Sequence, residues 1–195
     1  MTGFIRRVVT GHDKYGKSIV ISDGIAPSER TFTYIPGQRS SDIWKTIAMP
    51  APIKREEPDP TTGPRDFVPP MGVKIRCAEI PPETEAFRNL TPEQTREMFK
   101  SSGPNLAPTF ERGGRHPLMH RTETIDYAVV LEGEITLVLD NTDVQLKTGD
   151  VVIQRGTNHS WSNRSGKMAR LLYILIDGRF DPELAAWFKP GSGRR

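Results

Sequence analysis

Cysteine is almost missing from this sequence, with Cys77 alone among 195 residues. No disulfide can form within the chain, which excludes the small folds that disulfides hold together. Long apolar runs are missing too, because no stretch approaches the roughly 18 residues that a membrane-spanning helix needs. The first residues, MTGFIRRVV, also lack the apolar core of a secretory signal. We therefore expect a soluble, cytoplasmic protein without a membrane partner.

A strong charge of either sign is lacking as well. Lys and Arg number 27 against 24 Asp and Glu, which leaves a formal net charge of +3. The basic residues are scattered among the acidic ones, and they form neither a basic helix nor a basic stripe. No helix-turn-helix pattern is visible either. We expect no nucleic-acid partner.

Glycine and proline are what the sequence has in quantity, with 17 residues of each. A chain so rich in turn-forming residues favours many short elements and an all-β fold. Its length suits one domain with additions at its ends.

The N-terminal extension, residues 1–105, is predicted to consist of strands, a Pro-rich coil over 50–70 and one short helix. Thr91 is a suitable cap for that helix, which should run from Pro92 to about Lys100. We expect the extension to pack on the rest of the chain. Its strands are predicted at 4–9, 17–22, 30–35, 43–49 and 73–80.

A barrel is predicted over residues 106–180, followed by a short helix at 182–188 and a flexible tail within 181–195. Turn signals divide the barrel segment into about six short strands, at the intervals of roughly 8 to 12 residues that are typical of sandwiches and barrels. The turns are Glu132-Gly133, Asp140-Asn141, Thr148-Gly149, Arg155-Gly156 and Ser165-Gly166.

Two strands of the barrel segment, 125–131 and 169–176, are apolar on both faces. An antiparallel strand with one face in water would alternate instead, so something must cover the outer face. The N-terminal strands are the obvious cover, either from the same chain or from a second copy. We therefore expect a homodimer.

Two motifs carry the functional information. In GRHPLMHRTETIDYAVVLEGE, alignment on Gly133 places His120, Thr122 and Asp126 where the first cupin motif has two His and a Glu. In GDVVIQRGTNHSWSN, His159 falls on the His of the second motif.

The remaining positions of the second motif also match, except one. Gly149-Asp150, Gly156 and Asn163 fall into place, while Gln154 stands where Pro is usual. The chain thus resembles the small single-domain cupins of the cupin-2 type. The resemblance implies an all-β double-stranded β-helix, the cupin jelly-roll barrel, with an N-terminal strand and coil extension and one or two short helices.

The side-chain period of a strand puts positions 120, 122 and 126 on one face, and likewise His159 and Trp161. If both strands line the same barrel mouth, His120, Asp126 and His159 converge as two imidazoles and a carboxylate. This set leaves open positions on Fe(II) and also suits Zn, Mn or Ni. The predicted cofactor is a divalent metal ion held by these three residues, or none.

Further roles follow from this placement. His120, Thr122 and His159 are the candidate catalytic residues; without a metal, the two His become general acid and base while Asp126 orients them. Candidate substrate contacts are Trp161, Arg121 and Gln154. Arg115 and Arg155 are alternatives to Arg121 for a substrate carboxylate, and His116 is expected in a solvated loop.

Three functions stay open on the sequence. The first is a metal-dependent enzyme acting on a small oxygenated organic acid, of lyase, decarboxylase, dehydratase or isomerase type. The second is an Fe(II) dioxygenase. The third is a noncatalytic cupin that binds a small molecule.

Overall fold

The computed structural model describes residues 4–100, 107–108 and 114–188. The extension contributes five strands and two helices, namely β1 (Arg6–His12), β2 (Ser18–Ile25), β3 (Ser28–Thr31), β4 (Arg39–Thr46), β5 (Val73–Ile80), α1 (Glu85–Arg88) and α2 (Pro92–Lys100). The rest contributes β6 (Ala107–Pro108), β7 (His120–Arg121), β8 (Thr124–Glu132), β9 (Glu134–Leu139), β10 (Asp143–Lys147), β11 (Val151–Arg155), β12 (His159–Ser162), β13 (Ala169–Asp177) and α3 (Pro182–Trp187).

Two antiparallel sheets form the body of the molecule. One has the strand order β10-β9-β12-β7-β6 and the other has the order β11-β8-β13-β5-β4-β3. Val130 and Leu171 of the second sheet pack with Ile135, Leu137 and Leu146 of the first in one buried apolar cluster. The sheets therefore face each other across a shared core, and the predicted jelly-roll barrel with its extension and short helices is confirmed.

The N-terminal extension supplies half of the six-stranded sheet. Strand β5 pairs along its whole length with β13, and β4 then pairs with β5. Strands β3 to β5 are thus hydrogen-bonded into the barrel rather than laid over it. The division of the chain at residues 105 and 180 stays a prediction.

Several predicted elements have the expected bounds. Strand β5 spans 73–80 and helix α2 spans 92–100, as the patterns indicated. The helix begins with a capping box, because the Thr91 hydroxyl accepts from the Gln94 amide at 3.2 Å and the Gln94 side chain accepts from the Thr91 amide at 2.9 Å.

Strands β3 and β4 lie a few residues before their predicted positions. A turn that includes Gly37, at a φ of 87°, separates them, and pairing resumes with Arg39 opposite Glu79. The apolar residues of 32–35 enter a separate buried cluster instead of a ladder.

Strands β1 and β2 form a hairpin that is a sheet of its own. Helix α3 follows the barrel and is capped by Asp181, whose carboxylate accepts from the Glu183 and Leu184 amides. The predicted flexible tail lies outside the described residues. No helix in the described part of the chain is long and apolar enough to span a bilayer.

Candidate functional site

A cavity of about 190 Å³ opens between the two sheets. Its lining is mainly apolar and aromatic. It includes His120 of β7 and His159 and Trp161 of β12 from one sheet, and Asp126 of β8 from the other. Apolar lining residues include Phe67, Phe87, Phe99, Tyr173 and Leu175. The cavity therefore suits a small, largely apolar molecule.

The two imidazoles of the cavity are direct neighbours. Strands β7 and β12 pair with His120 opposite His159, and the ring centroids are 4.3 Å apart. Nδ1 of His120 lies 2.9 Å from the Leu118 carbonyl oxygen, and Nδ1 of His159 lies 3.0 Å from that of Thr157. Because a carbonyl oxygen only accepts, Nδ1 carries the proton in both rings and each Nε2 keeps a lone pair.

Burial keeps both rings neutral. It lowers the pKa of His120, and it lowers the pKa of His159 further because the neighbouring His120 disfavours a second charge. Neither Nε2 has a hydrogen-bond partner among the described residues. The pair thus presents two proton acceptors, or two metal-ligand atoms, that residues 4–100, 107–108 and 114–188 leave unused.

Asp126 reaches the cavity from β8, in the other sheet. Only 5% of its surface is exposed, and its Oδ1 has no partner in the described part of the structure. Burial raises the pKa of Asp126 to about 6, against a smaller opposing effect of a hydrogen bond with Thr124. The carboxyl can therefore give or take a proton near neutral pH.

The predicted metal ligands meet only in part. His120 and His159 have the arrangement usual for metal ligands, with one ring nitrogen fixed by a backbone carbonyl. However, no three His, Cys, Asp or Glu side chains of the described residues come together in a group that could hold a metal ion. The residues do not fit a three-ligand centre with Asp126, and metal binding stays a prediction.

Thr122 does not share a strand face with His120 and Asp126, so this prediction was wrong. Strand β7 ends at Arg121, and β8 begins at Thr124 in the opposite sheet, which breaks the alternation of side chains. Thr122 is buried outside the cavity lining and is hydrogen-bonded to the Thr124 hydroxyl at 2.7 Å. Its position offers no contact with a ligand in the cavity.

The other predicted substrate contacts also lie outside the cavity lining, with the exception of Trp161. The Arg121 guanidinium stacks 3.6 Å from the centroid of Phe188, and the Gln154 amide donates to the Thr157 carbonyl at 2.8 Å. Arg115 is paired with Asp143 at 2.9 Å. These side chains are already occupied, so their positions do not support a role in substrate binding.

His116 is buried, contrary to the expectation of a solvated loop residue. Its Nδ1 lies 2.6 Å from the Ser160 hydroxyl and accepts from the Leu118 amide, while Nε2 lies 3.0 Å from Glu83. Ser160 and Glu83 both line the cavity. This network connects the extension to β12, next to the imidazole pair.

The extension supplies lining residues that motif reasoning missed. Arg76 and Ala78 of β5 and Ser40 of β4 line the cavity, together with Phe67 of the Pro-rich coil and Phe99 of α2. The alternation of VKIRCAEI contained a usable signal, because it places Lys74, Arg76 and Ala78 on one face of β5.

Residues 108–175 match the family model of the cupin domain (Cupin_2). This segment contains the imidazole pair, Asp126 and both motifs. The two-sheet architecture agrees with that match, and the chain carries a cupin domain.

The chain is also similar to fungal proteins. It is 48% identical to phomopsin biosynthesis cluster protein D of Diaporthe leptostromiformis over 84 residues, which are 42% of this chain and less than half, 44%, of that protein. It is 28% identical to the cupin-domain-containing oxidoreductase fogC of Aspergillus ruber over 178 residues, 88% of this chain and 71% of that protein. The solved cupin domain of Schizosaccharomyces pombe Cnp3 is 12% identical, with a TM-score of 0.42, over 93% of this chain and 90% of that one.

Proposed function

We propose that this protein is a cupin enzyme that converts a small oxygenated organic acid by proton transfer inside the cavity. One observation carries the proposal: two neutral imidazoles with unused Nε2 atoms share a mainly apolar cavity with a buried carboxyl whose pKa is raised to about 6. Perturbed titratable groups in an enclosed cavity are typical of catalytic sites.

The chemistry follows from the protonation states. A neutral imidazole accepts a proton through Nε2, and a protonated Asp126 donates one from the opposite wall. Isomerisation and dehydration require removal of a proton at one position and delivery of a proton at another. Decarboxylation of a carboxylate releases CO2 and requires only delivery of a proton to the carbon that is left with the electron pair. The mainly apolar lining lowers the local dielectric, which strengthens the electrostatic effect of each group on a developing charge.

The similar proteins support an enzyme of small-molecule biosynthesis. One is named for the phomopsin biosynthesis cluster and another is named an oxidoreductase. Under the proposal, the partner of this protein is a small molecule of the cell interior, with no role for nucleic acid or membranes.

Oxygen chemistry with Fe(II) is the second candidate. It is favoured by the two unused Nε2 atoms with their Nδ1 atoms fixed by backbone carbonyls, and by the oxidoreductase names of several relatives. A divalent ion held by His120 and His159 would supply Lewis acidity or oxygen activation. The three-ligand set with Asp126 does not form, so we derive no step through a metal.

Incubation of the purified protein in D2O with a panel of small aromatic and β-keto acids tests the proposal. Mass spectrometry would detect deuterium uptake or the loss of water or carbon dioxide. We expect the wild type to change at least one acid, and His120→Ala and His159→Ala to slow that change by about 100-fold or more, because a general base contributes at least this much.

His12→Ala is the matched control, since His12 is exposed at the end of β1, and it should react at the wild-type rate. Full activity in both cavity variants would contradict the proposal. Binding of the acids without any reaction would favour the noncatalytic alternative. Turnover that requires added Fe(II) and consumes oxygen would favour the second candidate.

A further inference from the structure

The N-terminal extension places a cluster of basic side chains at one wall of the cavity. Arg76 lines the cavity, and the other members of the cluster lie around it. Lys74 and Arg76 lie on one face of β5, and Arg76 pairs opposite Tyr173 of β13. Lys74 is almost fully buried. A buried cation needs a counter-charge, and the fold brings two carboxylates, those of Asp42 and Asp66, next to these side chains.

These carboxylates are outnumbered. Asp42 accepts from Arg76 at 2.7 Å, Arg65 at 3.1 Å and Lys74 at 3.2 Å. Asp66 pairs with Lys74 and, at 3.0 Å, with Lys45. Four cations therefore share two anions at this wall, and the cluster keeps a net positive charge.

Hydrogen-bond donors are also left over in the cluster. The Nη1 group of Arg65 is buried and has no partner in the described part of the structure. Arg76 uses Nε for Asp42 and Nη2 for the Asp66 carbonyl, which leaves its own Nη1 without a described partner. Buried polar groups in native proteins are nearly always paired, so unused donors beside excess positive charge are suited to binding an anionic acceptor.

Ser40 completes the polar part of this wall. Its hydroxyl accepts from Arg65 at 3.1 Å, which leaves the hydroxyl proton available to an acceptor in the cavity. The ring of Phe67 lies beside the Arg76 guanidinium, with 5.9 Å between the guanidinium carbon and the ring centroid. An anionic group here would have an apolar surface beside it for the rest of the ligand.

We infer that Arg76 and Ser40 form a carboxylate subsite, which holds the acid group of an aromatic-sized organic acid while its apolar body lies between Phe67 and Trp161. The inference rests on the proposed function and names the residues that select the substrate class. The remaining Nη1 group of Arg76 and the Ser40 hydroxyl would each donate to the carboxylate, so the subsite also fixes the orientation of the ligand toward the imidazole pair.

Binding of acid and amide pairs tests the subsite without any need for turnover. Isothermal titration calorimetry would compare benzoate with benzamide, cinnamate with cinnamamide and 2-naphthoate with 2-naphthamide. We expect at least one acid to bind the wild type about tenfold or more tightly than its amide, because hydrogen bonds to a charged group are the stronger ones.

Arg76→Gln should remove this preference, and Arg76→Lys, which keeps the charge beside Asp42, should keep part of it. Arg6→Gln removes a guanidinium of the same kind from the Asp23 pair on the hairpin and should leave the preference unchanged. Circular dichroism of each variant would verify that it is folded.

Equal binding of acids and amides by the wild type, or a full preference in folded Arg76→Gln, would overturn the subsite and leave the cavity as a binding site. The proposed function fails separately. If only the proposed function is wrong, the wild type and His120→Ala will both bind the acid more tightly than the amide, but neither protein will convert the acid to a product. If no acid or amide binds at all, both the subsite and the proposed function are overturned.

Discussion

At the scale of single residues, burial determines the chemistry of this site. A carboxyl normally ionises well below neutral pH and an imidazole near it. Removal from water disfavours the charged form of both, so the pKa of Asp126 is raised while those of His120 and His159 are lowered. A carboxyl that titrates near pH 6 and two neutral proton acceptors thereby share one cavity.

The raised pKa of Asp126 predicts a pH-dependent stability. In the folded state the Asp126 carboxyl has a pKa of about 6 and binds its proton more tightly than in the unfolded state. The free energy of unfolding therefore decreases as the pH rises from about 4 through 6. Asp126→Asn cannot ionise, and we expect it to unfold at higher urea than the wild type at pH 8, with a gain on the order of 2 kcal/mol. At pH 4.5 the gain should shrink to about 1 kcal/mol or less, because the wild-type carboxyl is protonated in the folded state and only partly ionised in the unfolded state.

Glu57→Gln, in the exposed Pro-rich coil, is the control and should follow the wild type at both pH values. A variant at position 126 that is equally destabilised at pH 4.5 and pH 8 would show that Asp126 acts as an ionised structural partner. Its proposed role as proton donor would then be excluded.

The motif predicted the residues of the imidazole pair but not the whole site. His120, His159, Asp126 and Trp161 line the cavity because motif spacing places each on an inward-facing position of its strand. The motif did not predict the positions of Arg121, Thr122 and Gln154. Arg121 packs on Phe188, which is distant in sequence, Thr122 lies at the change from β7 to β8, and the Gln154 amide donates to the Thr157 carbonyl in the following turn.

At the scale of elements, the shortness of β7 determines which residues meet. The strand has two residues, enough to bring His120 opposite His159 before the chain crosses to the other sheet. Asp126 therefore approaches from the far wall rather than from beside the imidazole. The expectation of one continuous strand from 120 to 126 failed for this reason.

Elements with strong local signals could be predicted with their bounds. Strand β5 ends at a Pro-Pro pair, and α2 begins with a capping box and a proline in its first turn. Strands β3 and β4 have weaker patterns, and their bounds depend on pairing with β5, which no local pattern encodes.

At the scale of the whole molecule, the N-terminal extension is part of the barrel and of the cavity wall. It supplies three strands of one sheet, and it also supplies the basic cluster with Arg76. Sequence reasoning placed the extension outside the barrel, since the motifs start only after residue 113. We therefore expect ligand selection to depend on the extension as much as on the motifs.

The outer face of the six-stranded sheet predicts self-association. Tyr127 of β8 and Val151 and Ile153 of β11 are 39%, 59% and 55% exposed, and Val20 of the β1–β2 hairpin is 60% exposed. The hairpin does not cover these residues within one chain, so we propose that a second copy does. Light scattering after size exclusion should give twice the chain mass.

A double variant, Val151→Lys with Ile153→Glu, should give the mass of a single chain. Val144→Glu, at an exposed position of the other sheet, should remain dimeric. A wild-type protein that is monomeric at high micromolar concentration would contradict the proposal of a homodimer.

The most direct test of the account is a long-range proton–nitrogen NMR spectrum of the imidazoles, with and without cinnamate. We expect neutral rings near pH 7 for His120 and His159, with the proton on Nδ1 in both. Cinnamate should shift the Nε2 signals of these two and leave His12 unchanged. Rings that titrate near pH 6.5 as exposed histidines do, or Nε2 signals that saturating ligand does not move, would contradict the claim that the paired imidazoles form the ligand site.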